Sequence, residues 1–247
     1  AALDSGSIKR AHPEAQAHAL MNTPVALAVS GQLDKSLELF VRCEQMGRRQ
    51  GLKGIAGRAL ANMAHIYIEN DRYDEATWML HEAEAIAREL GDSNLLGQCL
   101  GNQGIVSRVQ GDLENALRLH EEQIQICRTI SDKHGLGIAI CQQALVVEDM
   151  GKTDEAIAAY REAEAICRET SNAYWLDFSL SKRGSLLLKG GDRQGALECF
   201  EECERLREKL GNTDELREAL ELQIDILCDT DLERMVQKVQ KLKTLDF

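Results

Sequence analysis

Several stretches of the chain could carry chemistry, and each has to be weighed against a packing role. Met150-Gly151-Lys152-Thr153 ends like a phosphate-binding loop. That motif also needs a glycine five residues before Gly151, where Val146 stands, and a strand ahead of it. An inter-helix turn is the better reading. Gly97, Gly101 and Gly104, with Gly54 and Gly57, could suggest a dinucleotide fingerprint, but they fall inside helical patterns. A dinucleotide site needs a strand before the glycines and a helix after them, so close helix packing is expected instead. The 8 cysteines include no Cys-x-x-Cys and no finger-type Cys/His spacing. Cys127 and Cys167 share one repeat position, and Cys43 and Cys203 share another. Small core residues of a reducing, cytoplasmic setting behave in this way. No metal site, cofactor or catalytic group is expected. His65, His120 and His134 have no evident cysteine or carboxylate partner, so no Cys/His nucleophile is indicated. Glu121, Glu122, Glu162, Glu201 and Glu204 read as a solvated helical face.

The elements that would position these residues repeat. Gly31, Asp71, Gly111, Gly151, Gly191 and Asp231 fall 40 residues apart. Five positions after the first five of these comes a small residue: Ser36, Ala76, Ala116, Ala156, Ala196. Phe40, Leu80, His120, Tyr160 and Phe200 follow, then Cys43, Ala83, Gln123, Ala163 and Cys203. Met46, Ile86, Ile126, Ile166 and Leu206 complete one stripe of a helix. That helix is expected to stop at Gly51, Gly91, Ser131, Ser171 and Gly211. Asp92, Asp132, Asn172 and Asn212 are then suited to cap the next one. The alternate helix is anchored by Leu20, Leu60, Leu100, Ile140, Leu180 and Leu220, followed by Pro24, Ala64, Gly104, Ala144, Gly184 and Ile224. Each period is helix, turn, helix, turn, with helices of roughly 17 residues, or about 25 Å. One pair cannot bury its stripe alone, so neighbouring pairs must stack.

Composition agrees. The chain has 247 residues, 44% of them apolar, 4% aromatic, and 2 prolines, which favours helix over sandwich or barrel. A net charge of −12 counts against nucleic acid as a partner. The sequence has no 18-residue apolar run, so no membrane partner is expected.

Leu60, Ala64, Tyr67, Asp71, Tyr73, Ala76, Leu80 and Ala83 together resemble one tetratricopeptide repeat. Asp71 stands where that family usually has glycine, and Gly111, Gly151 and Gly191 restore it. The 40-residue period exceeds the common spacing of about 34 and resembles the long-helix variety of kinesin light chains, cell-polarity adaptors and bacterial signalling-NTPase sensor regions. The resemblance covers residues 13–245. It implies an all-α, right-handed superhelical solenoid of about six helix-turn-helix units, 13–50, 53–90, 93–130, 133–170, 173–210 and 213–247. Residues 1–12 would be a separate, mobile segment. Pro24 should kink the first helix. His120 and Gln123 replace the usual aromatic and small residue, so looser packing is expected in the third unit. Leu232, Met235, Val239 and Leu242 form the stripe of a capping helix whose Arg234, Lys238, Lys241 and Lys243 face solvent.

The resemblance also implies a function. In such proteins the first helices of the units line a concave groove, and a side chain two residues after the anchor often binds a ligand peptide. Here those residues are Asn22, Asn62, Asn102, Gln142 and Lys182. Carboxamides both donate and accept, so a ladder of them can hold a peptide backbone. Arg58, His65, Glu69, Gln98, Ile105, Arg108, Glu148, Asp149, Phe178, Ser185 and Lys189 lie nearby in the same register. The ladder ends at Leu222, where Glu218, Glu221, Asp225 and Asp229 make the groove acidic. The competing reading of the asparagines is structural. The expectation is a scaffold for a protein or peptide partner without catalysis, with the oligomeric state left open. A sensor region of a larger signalling protein is the alternative, and an RNA-binding repeat or a thiol enzyme comes after it.

Overall fold

A computed structural model of the chain describes residues 23, 32–228 and 231–245. The readings placed on residues 1–12, Leu20, Asn22, Pro24, Gly31 and Asp229 lie outside the described residues. Those that are described form an all-α structure without strands. Its helices are α1 (Leu33–Gln50), α2 (Lys53–Glu69), α3 (Tyr73–Leu90), α4 (Ser93–Val109), α5 (Leu113–Thr129), α6 (Lys133–Asp149), α7 (Thr153–Glu169), α8 (Ala173–Lys189), α9 (Arg193–Leu210), α10 (Thr213–Leu227) and α11 (Leu232–Thr244). The even-numbered helices are the first helices of the helix-turn-helix pairs.

The punctuation between them is regular. Backbone φ is positive at Gly51, Asp71, Gly91, Gly111, Ser131, Gly151, Ser171, Gly191 and Gly211, every 20 residues. Each of these residues closes the helix before it in the left-handed conformation. The next amide reaches back one turn, as Asp92 N does to Ala87 O at 2.9 Å and Asp112 N to Ser107 O at 2.9 Å. Asp71, Ser131 and Ser171 hold that conformation with a side chain, at φ 56–58°. Asp231 breaks the series: its φ is −151° and its carboxylate accepts from Arg234 N as the N-cap of α11. Asp92, Asp132 and Asn172 cap α4, α6 and α8 by accepting from Leu95, Gly135 and Trp175 amides. Asn212 makes no such cap bond and donates to Glu215 instead.

The contacts divide the chain into two compact units, one up to Ile130 and one from Ser131 onward. In the first, α1 to α5 pack successively, and the first helices α2 and α4 also touch. Its core gathers Phe40, Cys43, Leu60, Met63, Ala83 and Leu95, with a second cluster around Ala64, Leu80 and Val106. In the second, α6 to α11 pack successively, and α6 touches α8. Its core gathers Leu180, Leu187, Ala196, Phe200, Cys203 and Ala219. Ala76, Ala116, Ala156 and Ala196 are all fully buried, so the small positions do bring helices close. Burying a Phe or Leu of this kind contributes about 1.5–3 kcal/mol each.

Three expectations need correction. His120 does not loosen the third unit: it is fully buried, because Gly104 opposite leaves room for its ring. A Cβ on Gly104 would lie 2.6 Å from His120 Cε1, and one on Gly101 would lie 2.5 Å from Gln123 Nε2. Glu204 is not solvated. It is 5% exposed and takes Lys238 and Lys241 of α11. Burial pushes its carboxyl up, but these bonds outweigh burial and hold it below the ordinary value. The basic face of α11 therefore turns toward α9, with Arg234 on Glu201, while Leu232 of the expected stripe is 67% exposed.

Candidate peptide-binding face

In the first unit, α2 and α4 present the candidates side by side. Arg58 donates from Nη2 to Asp92 Oδ2 at 2.7 Å, tying α2 to the N-cap of α4. Burial raises the Asp92 pKa, but the Leu95 amide and Arg58 overcome it and hold the carboxyl below its usual range. Asn62 is half-buried, and its Oδ1 accepts from Gln98 Nε2 at 2.8 Å. His65 and Glu69 are exposed, 3.4 Å apart and one helical turn apart. Asn102 is 8% exposed, and its Nδ2 has no hydrogen-bond partner. Arg108 is half-buried near the end of α4, and Ile105 packs against the second core cluster.

In the second unit, Gln142 is half-buried on α6. Glu148 accepts the Tyr160 hydroxyl at 2.8 Å, and Asp149 is exposed. Tyr160 is fully buried; burial and then the Glu148 bond push its pKa up, so this hydroxyl stays protonated and bound. Glu148 thus braces α6 against α7. Lys182 Nζ lies 5.8 Å over the Phe178 ring. Both line a cleft of ≈210 Å³ with Tyr174, Asp177, Arg207 and Glu218. Ser185 donates to Ser181 O within its own helix, and Lys189 is exposed in the last turn of α8. Leu222 packs against the core, while Glu221 and Asp225 are exposed.

The sequence reading missed a larger feature of the opposite face. In the first unit, α3 and α5 flank a cleft of ≈630 Å³ floored by α4. Glu84, Arg88, Gln103, Ser107, Asn115 and Glu122 line it, and none of the groove candidates does. Its signal was in the sequence as a spacing. Carboxylates of second helices meet residues 19 positions on: Gln103 Nε2 donates to Glu84 at 2.6 Å, and Arg183 Nε to Glu164 at 2.6 Å. Arginines on the same helices reach the next second helix 34 positions on, as Arg88 does to Glu122 at 3.6 Å and Arg168 to Glu202 at 2.8 Å.

Of the eight free cysteines, seven are buried and Cys228 is exposed. Burial pushes the Cys99 and Cys141 thiols up to about 12, away from the thiolate a nucleophile needs. Among the described residues no group of three or more His, Cys, Asp or Glu side chains could hold a metal ion. No described helix is long and apolar enough to cross a membrane.

Comparison with known proteins addresses the fold. Residues 55–129 and 100–169 match the family described as "Tetratricopeptide repeat". No curated protein matches the sequence. Among solved structures, the chain is similar to a signal transduction ATPase with a tetratricopeptide repeat sensor from Pyrococcus horikoshii. The TM-score is 0.77 at 15% identity, over 92% of this chain and 35% of that one. It is similar to a Rap protein complexed with Competence and Sporulation Factor, with a TM-score of 0.76 at 13% identity, over 92% and 64% of the two chains. It is also similar to a putative kinesin light chain with nearly identical repeats from Podosopora anserina, with a TM-score of 0.60 at 18% identity, over 82% and 99%. The chain thus spans about a third of the ATPase and less than two thirds of the Rap protein. Its helix pairs, their 40-residue period and these likenesses make this a tetratricopeptide-like repeat fold, resembling kinesin light chain, Rap-type regulators and the sensor region of a signalling ATPase.

Proposed function

We propose that the chain is a non-catalytic interaction module that holds a protein or peptide segment against the faces of its first helices. The observation that carries this is Asn102. Its amide nitrogen is shielded on α4 with no partner, on the helix packed against α2, where Asn62 and Gln98 are already paired. A buried donor left unpaired costs about 1–3 kcal/mol, and a backbone carbonyl of a ligand would satisfy it. Asn62 and Gln98 keep donor and acceptor capacity beyond their mutual bond. Arg58, Arg108 and Glu69 lie in the same register and supply charge, and His65 adds an imidazole; in the second unit Lys182 and Lys189, with Glu148 and Asp149, supply charge and Gln142 an amide. The Rap protein was solved with a bound factor and the ATPase carries its repeats as a sensor, which supports a ligand-binding reading here. The sensor repeats of the ATPase support a second reading, a sensor region of a signalling protein. The free buried thiols support a reducing, cytoplasmic setting. The charge of −12 supports a protein rather than a nucleic-acid partner.

The test is peptide selection from a displayed library on the purified chain. The variant carries Asn62→Ala, Asn102→Ala and Arg108→Glu and must first melt like the wild type. Selected peptides should bind the variant at least about ten-fold more weakly, the effect of losing one or two well-placed hydrogen bonds. Equal binding by both forms would refute the first-helix site.

A further inference from the structure

One position on each first helix and one on the second helix of the same pair, 30 residues later, carry small residues: Gly57 with Ala87, Gly97 with Cys127 and Gly137 with Cys167. These are places of close packing; a Cβ on Gly137 would lie 3.2 Å from Cys167 Sγ. The pair α8 and α9 has Asp177 and Arg207 there instead. Arg207 is 5% exposed, and its Nε donates to the two Asp177 oxygens at 2.9 and 3.0 Å. A buried ion pair seldom adds stability over a well-packed apolar pair, so packing alone does not account for this one.

The guanidinium is not used up by this pairing. Nη1 donates to Glu215 O at 2.5 Å, and Nη2 donates to no described residue. Arg183 of the same unit differs: it spends Nε on Glu164 Oε1 at 2.6 Å and Nη2 on Oε2 at 3.1 Å, and Arg168 lies 3.5 Å from that carboxylate. Arg207 lines the ≈210 Å³ cleft formed by α8, the end of α9 and the start of α10, where its Nη2 donors are left over. Lys182 lines the same cleft, 5.8 Å over the Phe178 ring and without a carboxylate partner among the described residues. The acids of the cleft are committed or turned to solvent. Asp177 is held by Arg207, Glu215 Oε2 accepts from Asn212 Nδ2 at 2.6 Å, and Glu218 is 66% exposed and 3.8 Å from Arg207 Nη1. Tyr174 and Leu210, both exposed, complete an apolar wall with Phe178. Two cationic groups thus have donors to spare beside an apolar surface, and a guanidinium carries five N–H donors that only acceptors can fill.

We propose that this cleft binds a carboxylate carried on an apolar body. The carboxylate takes the Nη2 donors of Arg207 and the ammonium of Lys182, and the body lies on Tyr174, Phe178 and Leu210. A cleft of this size takes one side-chain-sized group rather than a cofactor. The site shares Lys182 with the proposed peptide-binding face but rests on Arg207, and its test leaves α2 and α4 untouched, so either reading can fail without the other.

The test uses the whole chain and NMR titration with three probes: N-acetyl-phenylalanine, its neutral counterpart N-acetyl-phenylalanine amide, and an acetylated peptide ending in phenylalanine with a free carboxyl group. Wild type should bind the first saturably, with a Kd of about 1 mM or tighter, and shift signals of Tyr174, Lys182 and Leu210. The amide should bind at least about ten-fold more weakly, since it keeps the shape without the charge. Lys182→Glu should weaken binding of the acid by at least about ten-fold. The double variant Asp177→Gly, Arg207→Cys restores the pair that α6 and α7 use, Gly137 with Cys167, and should fold and lose binding. If it does not fold, Lys182→Glu decides. Glu218→Gln removes a competing carboxylate and should bind the acid at least as tightly as wild type. Tighter binding of the peptide than of N-acetyl-phenylalanine assigns the site to a peptide C-terminus, and equal or weaker binding assigns it to a free carboxylic acid. No saturable binding of either acid, equal binding of the amide, weaker binding by Glu218→Gln, or unchanged binding by Lys182→Glu or by the folded double variant would overturn the proposal.

Discussion

The two units place a ring over a glycine at the same register position, and the rings differ. In the second unit Phe200 lies over Gly184, where an added Cβ would come within 3.0 Å of Phe200 Cε1 and Cζ. In the first unit His120 lies over Gly104, where an added Cβ would meet the imidazole at 2.6 Å. Both rings are almost wholly buried, so the site selects for a flat ring against a bare backbone and tolerates either chemistry. The consequence is electrostatic. His120 Nδ1 is 3.2 Å from Gln123 Oε1, while Nε2 has no partner. Burial pulls the His120 pKa down to about 4, so this imidazole is neutral at pH 7. The carboxylate pairs differ in the opposite sense. The second unit buries Glu164 against a full charge, and the first sets Glu84 against an amide. Over these two glycines the repeat keeps a flat ring and leaves its polarity to each copy.

The sharpest way to break this comparison is Arg183→Ala against Gln103→Ala. The first leaves a nearly buried carboxylate with only Arg168, a loss of about 3–5 kcal/mol. The second removes a neutral donor from a more accessible acid and should cost about 1 kcal/mol. Urea titration of both variants measures the difference, and equal losses would mean that the two pairs are equivalent after all. Next comes pH. The folded pKa of His120 is about 4 against an ordinary 6.5, so the unfolded chain takes up a proton that the folded one refuses. This stabilising term is complete above pH 6.5 and is lost as pH falls toward 4, by up to about 3 kcal/mol. His120→Phe, which copies the ring of Phe200, should lose that part of the acid sensitivity; thermal melts across the window would show parallel curves if the imidazole does not titrate as described. The smallest contrast is between the glycines. Gly104→Ala should cost about 1–3 kcal/mol by overpacking against His120, and Gly184→Ala less, because its contacts are longer. Calorimetry giving the reverse order would show that the phenyl ring, not the imidazole, is the more tightly confined.

Much of the fold was legible because it is local. Ala76, Ala116, Ala156 and Ala196 recur at fixed spacing and are all buried, since a helix that must approach another every 40 residues needs a small residue at each approach. The turns were legible for the same reason, even at Ser131 and Ser171, where no glycine marks them. What the pattern could not give was pairing across helices. Glu204 looked like any solvated acid until Lys238 and Lys241 folded over it from α11. His120 looked like a defect because its compensation, Gly104, lies on a different helix. The candidate face was legible as a register, through Asn62 and Asn102, but not as chemistry. Side-chain pairing separates Glu148, spent on Tyr160, from Asn102, whose amide lacks a partner. No motif encodes the ≈630 Å³ cleft; only the 19- and 34-position spacings of the side chains that pair across it were in the sequence.

The left-handed residues that recur every 20 positions bear on how the chain finds its structure. Each turn is closed by bonds spanning only a few residues, and each helix packs chiefly on its sequence neighbours. Little chain entropy is therefore lost before a contact rewards it, and low contact order of this kind goes with fast folding. Assembly can begin at any helix pair and spread to its neighbours. A lesion such as a proline in one helix would then fray the structure from that point rather than prevent it from forming, and the cost of damage would depend on how near it falls to an end.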